Sequence, residues 1–450
     1  SEMCIRDRKD MRVIWNIGFR GQGDKPFWDD DPQYDTPEKR GALISALIKE
    51  QYDLVKANDK HAVCCTNLYG ETMELYKDGF LHLPEDVIKI WADNGYGKMV
   101  SRRQGNSNPR VPALPPRGDT SAHGIYYHAS FYDLQAASHI TMLPNSTEFV
   151  ARELADVMAH GADDYWLVNC SNVKPHAFLL DLIARCWRDG TVDAGQQCIA
   201  YTAAYYGLLH RCEIAQCLVD YAQFAVPYGS NADDRAGDQF YNHVPRMLIS
   251  QFVQDRTAPA DDLRWLCEQP TLAGQLQHCT AVFDKAVQSY AAYRRECEKV
   301  LAELTGRPRV LFMDNILLQA QLYDLWAQGA AFVCKALDAG FTADWQHCFY
   351  YAGCAKRLYA LAYRAMQDCE HGKWVGYYAN ECQTDVRQTV QVCGYLMSFA
   401  RTLGEGPHYY AWMREFGDPE DERRIMLILN TEPHPGDDDL WLLMEQRWGE

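Results

Sequence analysis

Several kinds of segment are missing from this 450-residue sequence. It contains no apolar run of about 18 residues, so nothing in it predicts a membrane-spanning helix. The first ten residues lack the apolar core of a signal peptide, and we interpret residues 1–10 as a non-native leader outside the fold. There is no internal repeat and no low-complexity tract. What remains has the composition of an ordinary globular protein, with 47% hydrophobic and 23% charged residues.

Basic residues are also scarce. The sequence has 44 Lys and Arg against 61 Asp and Glu, which gives a net charge of -17. This charge argues against a nucleic-acid partner, because phosphates would be repelled without a basic stripe. An anionic ligand would need Arg or Lys placed locally. Glycine-rich dinucleotide and phosphate-binding motifs are absent, as is the G-x-S-x-G nucleophile motif.

Cysteine, in contrast, is abundant. The 17 cysteines are odd in number and scattered, and many fall within helical patterns. A disulfide scaffold belongs to short secreted chains, so we expect reduced, buried thiols and a cytoplasmic protein. Cys64 and Cys65 lie near His61, but adjacent cysteines do not have the spacing of a zinc site. We predict neither a metal nor a cofactor.

Residues 11–190 alternate between predicted strands and helices. Thr36 and Pro37 are typical of a helix start, and Gly190 is typical of a helix end. The five predicted strands are the apolar segments RVIWNIGF, HAVCCTNLY, VIKIWAD, GIYYHAS and DYWLVNC. Such strands, separated mostly by helices, favour a parallel sheet, either open and doubly wound or part of a (β/α)₈ barrel. Five strands do not close a barrel; if the front is truncated, they are the last five of eight.

Residues 191–404 have a different pattern, that of a helical bundle. Apolar residues recur at helical spacing, as at Leu318, Leu322 and Leu325. We expect this region to lack a catalytic cleft of its own and its aromatic stripes to serve packing. The tyrosines of these stripes are Tyr350, Tyr351, Tyr359 and Tyr363. Residues 405–450 are predicted to form a small C-terminal element.

Polar residues follow all five predicted strands at their C-terminal ends. They are Arg20 and Asp24 after the first strand, Glu71 after the second, Asp93 and Asn94 after the third, His128 after the fourth, and Asn169 with Lys174 after the fifth. Individually, each is explained by a turn, a helix cap, a surface ion pair or a buried histidine. Together they predict a shared site, because the loops of parallel α/β folds converge on that face.

The residue types at these strand ends favour glycoside hydrolysis. Asp24 and Glu71 are paired carboxylates, suited to protonating a leaving oxygen and activating water. Arg20 could bind a carboxylate or phosphate through two parallel hydrogen bonds. A metal-dependent hydrolase with Asp24, Asp93 and His128 as ligands is an alternative interpretation.

An ordered set of motifs resembles glycoside hydrolase family 115, the α-glucuronidases. The motifs are GFRGQGD, LYGE, PEDVIKIWADNGYGKMVSRR, GIYYHASF and VNCSNVKP. The resemblance implies inverting release of glucuronic acid or its 4-O-methyl ether from xylan side chains. It makes Arg20 and Asp24 site residues, together with Glu71 and Asn169. The Asp-Asn pair of the family matches Asp93 and Asn94, and its Tyr-Tyr-His matches Tyr126, Tyr127 and His128.

The resemblance also implies an architecture. Members of the family have a (β/α)₈ barrel followed by a helical bundle that helps to pair subunits, so residues 11–190 would be the C-terminal part of the barrel. A homodimer through the helical region is expected, with a glucuronic-acid-substituted oligosaccharide or polysaccharide as substrate. An inactive or carbohydrate-binding fragment of such an enzyme is the alternative. We expect Lys174 or Arg20 to bind the uronate carboxylate.

Overall fold

The computed structural model describes residues 12–21, 25–130, 137–171, 173–379, 381, 383–406, 411–418 and 434–449. The chain divides into two compact units. The first, which we call the sheet unit, comprises Ser1–Ala129, Thr147–Cys170 and Leu179–Ala194. The second, the helical unit, comprises Ser130–Ser146, Ser171–Phe178 and Gly195–Glu450. The leader predicted at residues 1–10 lies outside the described residues.

Five strands form one sheet in the sheet unit. Their bounds are β1 Ile14–Asn16, β2 Val63–Leu68, β3 Ile88–Ala92, β4 His123–His128 and β5 Tyr165–Asn169. Each strand pairs in parallel with the next one along the chain, in the order β1-β2-β3-β4-β5. A doubly wound sheet reverses its order at a switch point, whereas this order never reverses. With right-handed crossovers the connecting helices then lie on one face, as in a barrel.

The helices of the sheet unit connect these strands. They are α1 Pro37–Asn58, α2 Glu71–Lys77 and α3 Thr147–Ala159. The start predicted for α1 is confirmed, because Thr36 Oγ1 accepts a hydrogen bond from the Lys39 N–H at 3.4 Å and Pro37 is the first helical residue. The helix α4 (Val173–Asp189) ends at Gly190, which has a φ of 76° and so adopts the left-handed conformation that glycine favours.

The strand register assigns side chains to the two faces of the sheet. Ala92 pairs with Tyr126, and His128 pairs with Asn169. Because successive side chains alternate between faces, Tyr126, His128 and Asn169 share one face, which we call the open face. Tyr127 points to the opposite face and is fully buried.

Most of the helical unit comes after the sheet unit in the sequence. Its helices are α5 Ala194–Tyr206, α6 Arg211–Phe224, α7 Asp238–Gln254, α8 Leu272–Glu303, α9 Gly306–Phe312, α10 Leu318–Phe341, α11 Trp345–Asp368, α12 Val386–Gly404, α13 Ala411–Gly417 and α14 Asp437–Trp448. A π-helical turn, Met313–Leu317, joins α9 to α10. The sequence prediction of a parallel sheet followed by helices is therefore confirmed.

The core of the helical unit surrounds α10, which packs against α7, α8 and α11. Fully buried tyrosines fill it, and the rings of Tyr290 and Tyr323 are stacked with centroids 4.7 Å apart. Tyr359, predicted to serve packing, is fully buried and its hydroxyl donates to the carbonyl of Tyr241 at 2.5 Å. Gly329 allows this ring to approach, since a Cβ there would lie 2.8 Å from Tyr359 Cε2.

Asp238 connects this core to the segment Ser130–Ser146 of the same unit. One carboxylate oxygen, Oδ2, accepts the backbone N–H groups of His139, Ile140 and Thr141 at 2.8–3.1 Å and the Thr141 hydroxyl at 2.9 Å. The other oxygen accepts the Thr384 hydroxyl at 2.6 Å. Asp238 is fully buried, and these donors satisfy its charge.

The cysteines that the structure describes are free thiols, and most of them are buried. Burial raises the pKa of the Cys65 and Cys186 thiols to about 11, as expected for inert core groups. Among the described helices, none combines the length and the apolar character that crossing a bilayer requires.

Candidate active site

The site is built in the sheet unit from the segments that leave the strands. The chain beyond β1 continues along β2, since the Ile17 N–H donates to the Cys65 carbonyl at 2.9 Å. It then folds back, with the Phe27 N–H donating to the Arg20 carbonyl at 2.7 Å. Gly21 makes this turn possible, because a Cβ there would lie only 2.4 Å from the Lys25 carbonyl oxygen. This turn positions Arg20 beside the end of β2.

Arg20 forms an ion pair with Glu71. Its Nε lies 2.6 Å from Glu71 Oε1, and its Nη2 lies 3.5 Å from Oε2. Glu71 is the first residue of α2, and Gly70 before it has a φ of 54°. Both charged side chains are partly buried, with exposed fractions of 24% for Arg20 and 15% for Glu71. The ion pair holds the carboxylate of Glu71 in one orientation with access to solvent.

Tyr69 lies between two arginines. The guanidinium carbons of Arg20 and Arg102 lie 5.6 and 5.3 Å from the centre of its ring. Arg102 also donates a hydrogen bond to the Tyr69 hydroxyl at 2.7 Å. The Tyr69 ring in turn lies 6.1 Å from that of Tyr126. The sequence analysis did not single out Tyr69 or Arg102; the only signal for Tyr69 is its place in the LYGE motif.

Tyr126, His128 and Asn169 meet on the open face of the sheet. Asn169 Nδ2 donates to the Tyr126 hydroxyl at 2.7 Å. The rings of Tyr126 and His128 are 4.6 Å apart. Tyr127, predicted to bind substrate, has its side chain on the other face, where it is fully buried and its hydroxyl donates to the Gly97 carbonyl at 3.0 Å. The neighbouring Tyr126 lies on the open face beside His128 and Asn169, where Tyr127 was expected.

Asp93 and Asn94 support this arrangement from the end of β3. Asp93 Oδ1 contacts His128 Nδ1, and both side chains are almost fully buried. Asp93 Oδ2 accepts the Gly97 N–H at 2.9 Å. Asn94 Oδ1 accepts the backbone N–H groups of Tyr96 and Lys98 at 3.0 and 3.2 Å. Asp93 therefore orients the imidazole of His128, and Asn94 shapes the loop.

Two predicted site residues lie outside this arrangement. Asp24 is not among the described residues. Lys174 belongs to the helical unit, where it is 9% exposed and its ammonium lies 5.4–5.8 Å from the ring centres of Trp374, Tyr377 and Tyr378. Within the described residues its Nζ has no hydrogen-bond partner. Burial lowers the pKa of Lys174, opposed by the nearby Asp314 carboxylate.

Glu74 is a further carboxyl group that the sequence analysis missed. It lies three residues after Glu71, so the two carboxyl groups project from neighbouring positions of α2. Burial raises the pKa of Glu74, and the charges of Asp78 and Glu71 raise it further. Its Oε1 is buried without a hydrogen-bond partner among the described residues. Adjacent carboxyl groups in unlike environments are a feature of acid–base sites.

The described residues contain no group of three or more His, Cys, Asp or Glu side chains that could hold a metal ion. The arrangement in the sheet unit is instead a row of contacts along the strand ends. Arg20 contacts Glu71, Asp93 contacts His128, and Tyr126 contacts Asn169. Such a row offers a carboxylate, a cation and several hydrogen-bonding groups to a polar ligand.

Comparison with known proteins gives two kinds of match. A statistical model of glycosyl hydrolase family 115 matches residues 2–228, half of the 450-residue chain. Among solved structures, the chain is similar to BtGH115A, described as a family GH115 4-O-methyl-α-glucuronidase with specificity for decorated arabinogalactans, with 14% identity and a TM-score of 0.55. The match covers 87% of this chain and 46% of that one, so the chain spans about half the length of this relative.

A second solved structure is described as a GH138 enzyme targeting pectin rhamnogalacturonan II. It has 11% identity and a TM-score of 0.43, over 82% of this chain and 60% of that one, which is too low to indicate a common fold. No curated protein sequence matches the chain. At 14% identity the similarity to BtGH115A concerns the fold alone.

Proposed function

The chain belongs to glycosyl hydrolase family 115, and on this premise we propose that it is a glycoside hydrolase acting on glucuronic-acid-decorated glycans. The reaction is release of glucuronic or 4-O-methylglucuronic acid from xylan-type side chains. The sheet is the last five βα units of a (β/α)₈ barrel, which agrees with its unreversed strand order.

The observation that carries this proposal is the ion pair between Arg20 and Glu71 at the strand ends. Active sites of parallel α/β enzymes lie at this end of the strands. Glycoside hydrolysis requires a carboxyl group fixed beside the scissile bond, and Glu71 is fixed by Arg20 without being withdrawn from solvent.

The mechanism that we propose is inversion by two carboxyl groups, Glu71 and Asp24. One protonates the glycosidic oxygen, and the other removes a proton from a water that attacks the anomeric carbon from the opposite side. Inversion leaves room for this water when the two carboxyl groups are roughly 6.5–9.5 Å apart.

The remaining site residues bind and orient the sugar in this proposal. Arg20 presents a planar fork of donors to the uronate carboxylate, next to its contact with Glu71. His128, oriented by Asp93, and Asn169, held by Tyr126, offer hydrogen bonds to sugar hydroxyls. Asn94 maintains the loop after β3. Lys174 is proposed as a further substrate-binding cation, supported by the absence of a hydrogen-bond partner for its Nζ within the described residues.

Glucuronic acid release tests the proposal. The purified protein and its Glu71→Gln variant are incubated with a glucuronic-acid-substituted xylo-oligosaccharide, and free uronic acid is measured by anion-exchange chromatography. We expect Glu71→Gln to lower the rate by at least about a thousandfold, because the substituted amide can neither accept nor donate the catalytic proton. Glu85→Gln, at an exposed glutamate of the same unit, is the matched control and should retain the wild-type rate.

Two results would contradict the proposal. If Glu71→Gln releases uronic acid at the wild-type rate, Glu71 has no catalytic role. If NMR of the first product shows the α-anomer, the reaction retains configuration and the inverting mechanism is wrong. A protein that binds the oligosaccharide but releases nothing would be the carbohydrate-binding alternative.

Assembly and compartment belong to the same proposal. We propose a homodimer formed through the helical unit, tested by light scattering of the purified protein. The many free thiols, mostly buried, support a reducing compartment such as the cytoplasm.

A further inference from the structure

The helical unit contains an aromatic cleft of about 650 Å³ between α10, α11 and α14. This volume lies in the range of small-molecule sites. Six rings line the cleft, and they come from Phe332, His347, Tyr350, Tyr351, Trp441 and Trp448. The sequence analysis expected the aromatic residues of residues 191–404 to serve packing and did not predict this cleft.

The spacing of residues along α11 and α14 places these rings together. His347, Tyr351 and Leu358 are four and then seven residues apart, which puts them on one side of α11. Trp441 and Trp448 are seven residues apart on α14 and face it. Gly353 allows the two helices to approach, because a Cβ there would lie 2.0 Å from Trp441 Cδ1.

The rings are held in fixed orientations. Tyr350 and Trp441 stack at 5.9 Å, the Trp441 indole N–H donates to the Tyr350 carbonyl at 2.9 Å, and the Tyr350 hydroxyl donates to Glu445 Oε2 at 2.7 Å. His347 and Trp448 are stacked at 4.5 Å with planes only 5° apart. A ligand would therefore meet a rigid surface and would not have to order it on binding.

The cleft has a buried floor and an open rim. Tyr350 and Trp441, at 8% and 6% exposure, form the floor, while Phe332, Tyr351 and Trp448 remain partly exposed. These partly exposed rings leave apolar surface at the rim of the cleft.

Charged side chains lie in and around the cleft. Lys335 lies at the rim, with its Nζ 4.8 Å from the centre of the Phe332 ring. Arg357 and Glu445 are lining residues of opposite sign; Arg357 lies over the Trp441 ring at 3.4 Å and its Nη2 donates to Asp438 Oδ1 at 3.4 Å. The imidazole of His347 contacts Asp344 Oδ2 at 2.7 Å. The lining cation and anion already have partners, Asp438 and the Tyr350 hydroxyl. A neutral ligand with apolar faces and a hydroxyl rim therefore matches the aromatic walls and their few polar groups.

We propose that this cleft binds a neutral oligosaccharide, the unsubstituted backbone of a glycan. The apolar C–H faces of pyranose rings would lie on Tyr351 and Trp448, and their hydroxyls would contact Glu445 and Gln328. The selection of a glycan among neutral ligands rests on the function proposed above. The cleft would retain the polymer while the side chain is cleaved.

Binding of xylohexaose, with β-galactotetraose as a second neutral probe, tests this inference. Affinity is measured by isothermal titration calorimetry and by saturation-transfer NMR on the whole protein. We expect saturable binding of at least one probe, weakened about tenfold by Trp448→Ala and somewhat less by Tyr351→Ala. Trp448 also packs at 4.9 Å against Phe416, so circular dichroism and a melting curve accompany that variant. If Trp448→Ala unfolds, Tyr351→Ala still tests whether the rim rings bind the sugar.

The controls separate this inference from the catalytic one. Tyr395→Ala, at a tyrosine 68% exposed on α12, should leave binding unchanged, and Glu71→Gln should leave it unchanged while stopping hydrolysis. The inference would be overturned, even in an active enzyme, if no probe binds saturably. It would also be overturned if Trp448→Ala and Tyr351→Ala both bind the probe with the affinity of the wild-type protein. A change in oligomeric state on Trp448→Ala without sugar binding would show that a second copy of the chain covers the cleft. Binding in a protein that releases no uronic acid would support the cleft and contradict only the proposed activity.

Discussion

Glu71 in the sheet unit and Asp238 in the helical unit are carboxylates held in opposite ways. Glu71 is partly exposed and paired with one charged side chain, Arg20. Asp238 is fully buried and accepts hydrogen bonds from three consecutive backbone N–H groups and two hydroxyls. Five fixed donors leave Asp238 little capacity to accept a further hydrogen bond from a ligand.

The difference separates a carboxylate suited to chemistry from one suited to structure. A single side-chain partner orients Glu71 and leaves its carboxylate partly exposed, so a sugar can contact it in the proposed reaction. Backbone donors cannot move without unfolding the segment that carries them, so Asp238 fixes residues 139–141 to α7. The number and type of donors, more than burial alone, distinguish the two roles.

The largest effect is expected from Asp238→Ala, which tests the structural side of this comparison. The variant leaves several buried donors without an acceptor and should lower the free energy of unfolding by about 3–5 kcal/mol. Asp238→Asn keeps one oxygen acceptor and should cost roughly half as much. Urea denaturation measures both, with the exposed Asp262→Ala as control. Equal stability of Asp238→Ala and wild type would refute the anchoring role.

A second prediction concerns Glu381 of the helical unit. Burial raises the pKa of Glu381 to about 7, although hydrogen bonds from the Thr384 and Asp385 N–H groups oppose the shift. A raised folded-state pKa means that stability falls as pH rises from about 4.5 through 7. Glu381→Gln removes this pH dependence, so relative to wild type it should gain on the order of 2–3 kcal/mol of stability between about pH 4.5 and pH 8. A constant cost opposes this gain, because the amide keeps one oxygen to accept the two backbone N–H groups.

Melting curves across the pH range measure that effect. This gain should be absent below about pH 4.5, where Glu381 is protonated in both folded and unfolded protein. Glu268→Gln, at an exposed position, should show no such dependence. A constant difference between Glu381→Gln and wild type from pH 4 to pH 8 would exclude titration of Glu381 as its cause.

The third prediction is a smaller loss of stability, caused by a substitution in the sheet unit. Tyr126→Phe removes the hydroxyl that accepts the Asn169 side-chain N–H and should cost about 1 kcal/mol of unfolding free energy. The proposed activity should fall more than the stability does, because Asn169 loses its orientation on the open face. Tyr127→Phe is the informative partner, since it removes a hydroxyl from the opposite face and should affect stability with little change in activity. A larger activity loss in Tyr127→Phe would reverse the assignment of the two faces.

The smallest effect is expected for the Arg20–Glu71 ion pair. A double-mutant cycle with Arg20→Ala and Glu71→Gln should give a coupling free energy of about 0.2–1 kcal/mol, because both side chains are partly exposed. In the enzyme assay, Arg20→Ala should weaken release from uronate substrates much more than binding of a neutral oligosaccharide. If the coupling free energy is as large as the loss of unfolding free energy in Asp238→Ala, Glu71 has a structural role like that of Asp238.

Sequence reasoning identified the five strands because each is a short apolar run, and it located Arg20, Glu71 and His128 because polar residues follow those runs. It assigned Tyr127 to the site because a motif match does not say which face a side chain occupies. Strand register answers that question, since His128 pairs with Asn169 and Tyr127 alternates away from both.

Other contacts could not be predicted from the local sequence. Arg102 reaches Tyr69 from a loop without periodicity, so only the folded chain brings them together. The aromatic cleft is another case. Tyr350 and Tyr351 were expected to serve packing, and of the two Tyr350 is buried. Trp441 and Trp448, which complete the cleft, lie on a separate helix more than 80 residues later. Contacts over such a distance depend on tertiary packing, which one sequence does not show.

The unreversed strand order has a consequence for how the protein is made. Each strand pairs with the strand synthesised just before it, and the site contacts join residues only 33 to 51 positions apart. As the chain leaves the ribosome, Arg20 can meet Glu71 before β3 exists, and Asp93 can meet His128 before β5 does. The candidate site is thus assembled in steps, each adding one strand and its polar residue to contacts that have already formed.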